Sequence, residues 1–236
     1  MGYQKLTIPA GGYALLANPF TIVGSDGETF AINDMFTDDV DKSKAGNSAG
    51  LSDQIQGWDP TQQGYNAYFF SARITGGGKA WATMANARVA TTNSFEPSEG
   101  FWYLSRGSNS YQLTVSGEVS TNNVSVTLLP GYNLVCNPFP VDLPLNTEDI
   151  DWIAAGAHAG NSAGLSDQIQ LWDIDNQGYN AYFFSARITG GGKAWATMAN
   201  ARVATTESIP AGQGFWYLNR GDNTISITLK SPLAKE

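Results

Sequence analysis

The most regular feature of this chain is a two-residue alternation of apolar and polar positions, interrupted by glycine, proline and asparagine. Leu6-Thr7-Ile8 before Pro9, and Val124 to Leu129 before Pro130, read as short strands. Tyr132 to Cys136 reads as another. Asn137-Pro138 closes it, because a residue before proline favours extended geometry. In Gln168-Ile169-Gln170-Leu171-Trp172, Ile169 and Leu171 fall on one face, and Gln168, Gln170 and Trp172 on the other. Asp167 to Asp173 and Tyr179 to Arg187 form a predicted hairpin across Ile174 to Gly178. Gly190-Gly191-Gly192-Lys193 supplies a further turn, and Ala194 to Ala204 continues the sheet. Phe215 to Leu218 and Thr224 to Leu229 complete the set, with one short helix expected within 142–158.

Two of these strands are apolar on both sides. Tyr179, Ala181 and Phe183 point one way, while Tyr182 and Phe184 point the other; Phe215-Trp216-Tyr217-Leu218 behaves alike. A lone two-layer unit buries one face per strand. These strands therefore require a second covering layer, from a sister unit or another chain.

The sister unit is visible in the sequence. Residues 45–92 and 159–206 align without gaps and differ only at Gly57/Leu171, Pro60/Ile174, Thr61/Asp175 and Gln62/Asn176. Gly12-Tyr13 to Pro19-Phe20 matches Gly131-Tyr132 to Pro138-Phe139, and Gly100-Phe101-Trp102-Tyr103-Leu104 matches Gly214 to Leu218. The expected architecture is all-β: two tandem sandwich-like or barrel-like units of about 115 residues, 3–117 and 118–236.

Composition narrows the chemistry. Charged residues are 14% of the chain and aromatics 12%, which favours strands over helices. The net charge of −8, with no basic run, argues against a nucleic-acid partner. Asp38-Asp39-Val40-Asp41 reads as a solvated loop. No run of 18 apolar residues exists, so membrane insertion is not expected.

Cys136 corresponds to Ala17, and His158 to Lys44, so neither is needed by the repeated unit; they read as a buried filler and a loop residue. One Cys and one His supply no zinc site, and a Ser-His-Asp triad would rest on the unduplicated His158. Asp53/Asp167 and Asp59/Asp173 recur, but six residues along a strand is about 20 Å, too far for a glycosidase pair. The glycines before Lys79 and Lys193 lack the flanking residues of a phosphate loop, with Arg73 and Arg187 at the first glycine position and Ala80 and Ala194 after the lysine. Asp173 to Gly178 is a poor calcium loop, and the first copy does not keep it. No cofactor, metal or enzymatic activity is expected.

Two segments carry a resemblance. Gly131-Tyr132-Asn133-Leu134-Val135-Cys136-Asn137-Pro138-Phe139-Pro140 and Ile209-Pro210-Ala211-Gly212-Gln213-Gly214-Phe215-Trp216 resemble the opening and closing elements of uncharacterised β-rich units in secreted and surface proteins of Gram-negative bacteria. Glu96 to Glu99 departs from the closing pattern in the first copy. The resemblance implies an extracellular, non-catalytic β module, with a signal peptide removed ahead of Met1, and no particular ligand.

The candidate functional residues are aromatic: Trp58 and Trp172, Tyr65 and Tyr179, Tyr68 and Tyr182, Trp102 and Trp216. Trp beside Gln suits a subunit interface or a sugar-stacking platform, as well as simple packing. The first expectation is a structural protein that assembles with itself into a filament, sheath or surface layer. The alternative is a tandem carbohydrate-binding module for polysaccharide.

Overall fold

The computed structural model describes residues 1–25, 27–36 and 39–233. The chain is all-β, with no helix longer than a single 3-10 turn among the described residues. The first set of strands is β1 (Gly2–Ile8), β2 (Tyr13–Ala17), β3 (Phe20–Thr21), β4 (Gln54–Asp59), β5 (Gly64–Ser71), β6 (Ala80–Thr83), β7 (Asn86–Ala90), β8 (Gly100–Leu104) and β9 (Tyr111–Val119). The second is β10 (Val124–Leu128), β11 (Gly131–Cys136), β12 (Leu143–Pro144), β13 (Gln168–Asp173), β14 (Gly178–Ser185), β15 (Ala194–Thr197), β16 (Asn200–Ala204), β17 (Ser208–Ile209), β18 (Gly214–Asn219) and β19 (Ile225–Leu229).

Each set builds one six-stranded antiparallel sheet, ordered β2-β8-β4-β5-β6-β7 and β11-β18-β13-β14-β15-β16. A smaller layer covers one face of each. In the first, β1 pairs with β9 and β9 with β3; in the second, β10 pairs with β19. The first and last long strands of each set are thus hydrogen-bonded neighbours, which brings its ends together.

Alternation decides what enters each sandwich. Ala14, Leu16, Ile55, Phe70, Phe101 and Tyr103 face the small sheet and meet Leu6, Ile8, Leu113 and Val115. The second core repeats this with Val135, Ile169, Leu171, Phe184, Phe215 and Tyr217 against Val126, Leu128, Ile227 and Leu229. Burying each large side chain contributes roughly 2–3 kcal/mol.

One carboxylate is buried at the same place in each set. Asp53 accepts the N–H groups of Lys44 and Arg106 and the hydroxyls of Tyr103 and Tyr111, at 2.6 to 3.0 Å. Asp167 accepts those of His158, Arg220 and Tyr217. These bonds replace the water that a buried charge would otherwise lack. Burial, more than the neighbouring carboxylate, pushes the Tyr103 and Tyr217 phenols far above the ordinary tyrosine range, so they remain donors.

Two expectations need correction. The 142–158 stretch forms no helix: Leu143 and Pro144 pair with Ile209 and Ser208, and turns follow. The Asn146 side chain is tied to the backbone of Trp195 and Thr205, and the Trp152 indole to the Leu145 carbonyl. The distant anchors on Trp195 and Thr205 outweigh local helix propensity. In the expected solvated loop, Asp38 lies outside the described residues. Asp39 is not free: it accepts the Thr114 N–H at 2.8 Å and pairs with Lys42, and both hold its carboxyl below the usual range.

Candidate functional site

The outward face of each large sheet carries Leu15, Trp102 and Trp58, or Leu134, Trp216 and Trp172. These faces pack on one another, forming a third apolar core. The packing is reciprocal. The Trp58 ring stands edge-on to Trp216, with centroids 5.0 Å apart, and Trp172 stands edge-on to Trp102 at 4.8 Å. Trp58 thus meets Trp216 as its counterpart Trp172 meets Trp102, the signature of a two-fold interface, here built within one chain.

Polar contacts obey the same exchange. Trp58 donates its indole N–H to the Tyr132 carbonyl at 2.8 Å, and Trp172 donates to Tyr13 at 3.0 Å. The Gln63 side chain accepts the Tyr132 N–H and donates to the Tyr132 carbonyl, both at 3.0 Å. Gln177 grips the Tyr13 peptide in the same way, at 2.8 and 3.0 Å. Among the described residues, Gln63 and Gln177 are the non-glycine residues with positive φ, both at 49°. The left-handed turn at each directs its amide across the seam.

Backbones also touch there. Ala17 donates to Gly212 at 2.9 Å and Cys136 to Ser98 at 3.0 Å. A Cβ placed on Gly100 would lie 2.7 Å from the Val135 carbonyl oxygen, and one on Gly214 would lie 3.0 Å from that of Leu16. Glycine is needed at both positions because the opposite backbone occupies the space.

Over this seam opens a cleft of about 300 Å³, lined by Tyr13, Gln56, Tyr65 and Trp102 from one sheet and Trp172 and Tyr179 from the other. The counterpart aromatics repeat these contacts, with Tyr132–Trp216 at 5.8 Å matching Tyr13–Trp102 at 5.8 Å, and Trp58–Tyr65 at 4.9 Å matching Trp172–Tyr179 at 5.0 Å. Tyr65 and Tyr179 belong to both halves. They are 50% and 46% exposed, so their rings form part of the floor and remain reachable.

The cleft is uncharged but not inert. Trp216 donates to the Tyr179 hydroxyl oxygen at 3.1 Å, and Trp102 is the corresponding neighbour of Tyr65. A phenol that accepts through oxygen keeps its own hydrogen to donate. Burial holds both phenols above the ordinary tyrosine value, so they remain protonated donors at physiological pH. Gln56 donates to Gln54 at 3.2 Å, which leaves its carbonyl oxygen to accept. The site can stack apolar faces and exchange hydrogen bonds with neutral polar groups.

Six of the eight candidate aromatics therefore meet at one place. Tyr68 and Tyr182 do not: each points into its own sandwich core at 6% exposure. Their strands place them one residue out of phase with Tyr65 and Tyr179. Sequence reasoning passed over Tyr13, Tyr132, Gln63 and Gln177. The Gln pair was legible only as a shared residue in otherwise divergent turns.

The other singled-out residues lie outside the cleft. The Cys136 thiol is buried and donates to the Pro97 carbonyl, and burial pushes its pKa far up, away from reactivity. His158 is exposed in a loop. Asp59 and Asp173 accept backbone N–H groups within their own turns. No cluster of three or more potential metal ligands occurs among the described residues. Compared with protein-family models, curated proteins and solved structures, the chain matches none.

Proposed function

We propose that this chain is a non-enzymatic, extracellular β module that holds a neutral stretch of polysaccharide in the aromatic cleft over its internal two-fold seam. The observation that carries this reading is the combination of half-exposed Tyr65 and Tyr179 rings, free phenolic donors and no charged lining group. Sugar rings offer an apolar face for stacking and hydroxyls for Tyr and Gln, and the cleft matches both at once. Two symmetric halves would engage successive residues of one glycan chain, raising its affinity without new chemistry.

Self-assembly into a filament or layer draws less support. The two-faced strands that motivated it are largely covered within the chain: Trp216 of β18 packs on the sister sheet, and on β14 Phe183 is buried while the half-exposed Tyr179 ring meets Trp102 of that sheet. The outer edge strand β7 is also blunted: Arg88 already donates to Asn86 and accepts from Thr75, and the Ala87 carbonyl takes the Ser71 hydroxyl.

The test is titration of the full chain with neutral hexaoses of β-glucan, mannan and xylan type, followed by calorimetry. One of these should bind saturably, one chain per protein, and Tyr65→Ala with Tyr179→Ala should weaken it at least about ten-fold. Absence of binding to every neutral glycan, with concentration-dependent polymerisation instead, would overturn the reading in favour of assembly.

A further inference from the structure

A second kind of cleft lies away from the seam, on the outward face of β14 and β16. Its volume is about 410 Å³ and its lining includes Arg187, Arg202, Asn161, Ser162 and Asn200 over a Phe183 floor. No carboxylate lines it. Among the described residues the single ion pair joins Lys42 to Asp39, so neither guanidinium is neutralised by a carboxylate. Two uncompensated arginines in one recess stand out in a chain of net charge −8.

The supporting groups are aimed to help. The Asn200 carbonyl oxygen accepts the Arg202 N–H at 3.1 Å, which leaves the Asn200 amide hydrogens to donate. The Arg187 N–H is held by Ser185 at 3.1 Å, and the Arg202 carbonyl by the Thr189 N–H at 2.9 Å. The Arg202 backbone is thus held at both its N–H and its carbonyl, and that of Arg187 at its N–H.

The whole arrangement is duplicated. Arg73, Arg88, Asn47, Ser48, Asn86 and Phe69 stand at the equivalent positions, with the same bonds from Arg73 to Ser71, Arg88 to Asn86 and Thr75 to Arg88. Their backbones are bonded within the fold, but among the described residues no ion pair engages their guanidinium groups.

We propose that each unit carries an anion site in which this arginine pair and the neighbouring Asn amide hold a carboxylate or sulfate group of an acidic glycan. Guanidinium forks match the two oxygens of either group, and the open recess admits a substituent on a polymer. The two sites are separate from the aromatic cleft, so this inference stands or falls independently of the neutral-glycan reading.

The experiment is a two-dimensional NMR titration of the full chain at constant ionic strength, with inorganic sulfate in one arm and trigalacturonate in the other. Saturable shifts are expected at Ser48 and Asn86 and at Ser162 and Asn200, two equivalents per chain. Saturation by sulfate alone assigns a sulfate ester, and by trigalacturonate alone a uronic acid. Arg187→Gln with Arg202→Gln should weaken the second site at least about ten-fold while leaving the first intact as an internal control for folding. No saturable shift with either probe, or undiminished shifts at Ser162 and Asn200 in the double variant, would overturn the assignment.

Discussion

The indole of Trp58 donates its N–H to the carbonyl oxygen of Tyr132, 2.8 Å away and 74 residues along the chain. That carbonyl also receives the Gln63 amide. Losing the indole N–H should therefore be mild, while losing the aromatic ring should not. Trp58→Phe, which removes the N–H and trims the fused ring but keeps an aromatic at the seam, is expected to cost about 1–2 kcal/mol. Trp58→Ala also empties the edge-on contact with Trp216 and should cost about 3 kcal/mol. Urea denaturation of both variants checks the ratio.

Gly100 and Gly214 are tested by the smallest substitution. Gly100→Ala drives a methyl to 2.7 Å from a backbone oxygen, and Gly214→Ala to 3.0 Å. Each should destabilise by roughly 1–3 kcal/mol through overpacking, Gly100→Ala by more. Thermal unfolding monitored at the tryptophans orders the two variants.

Glu99 occupies the place that Gln213 holds in the second set. Gln213 donates to the Trp172 carbonyl at 2.6 Å, a bond that an ionised Glu99 lacks the proton to make. Burial pushes the Glu99 carboxyl above its ordinary value, outweighing the Glu96 N–H that favours ionisation. A carboxyl raised on folding binds its proton more tightly in the native state. Its stabilising contribution is complete below the unfolded pKa and is lost as pH rises through the folded one. Glu99→Gln should therefore stabilise at pH 7 by about 1 kcal/mol, with the gain shrinking in acid. Denaturation midpoints at pH 4 and pH 7 measure the difference.

Asp53 is expected to be the costliest single polar site. Asp53→Asn turns an amide donor toward groups that all donate already, and should cost about 3 kcal/mol or more. Tyr111→Phe leaves three of the four bonds and should cost about 1–2 kcal/mol. Paired chemical denaturation of the two variants tests the order.

Local pattern carried much of this fold. The alternation in Gln168 to Trp172 placed Ile169 and Leu171 in the core and Trp172 on the opposite face, where the structure has them. The two-sided strands β14 and β18 signalled a covering layer because period-two alternation leaves no polar side. What alternation could not supply was the partner. Trp58 meets Trp216 and Gln63 meets Tyr132 through tertiary packing alone. The 142–158 segment misled because its course is set by distant strands, Leu143 and Pro144 pairing with Ile209 and Ser208 and Asn146 bonding to Trp195 and Thr205, which no local pattern shows. The arginine-lined cleft drew no notice for a similar reason: Arg187 and Arg202 lie 15 positions apart and converge only when β16 folds back on β15.

The two sheets bury their aromatic faces on each other and should therefore unfold as one cooperative body. Scanning calorimetry of the full chain tests it most directly. A single transition is predicted, with calorimetric and van't Hoff enthalpies equal, splitting into two when Trp58 and Trp172 are both changed to alanine. Two independent transitions in the unaltered chain, or one transition untouched by the double substitution, would contradict it.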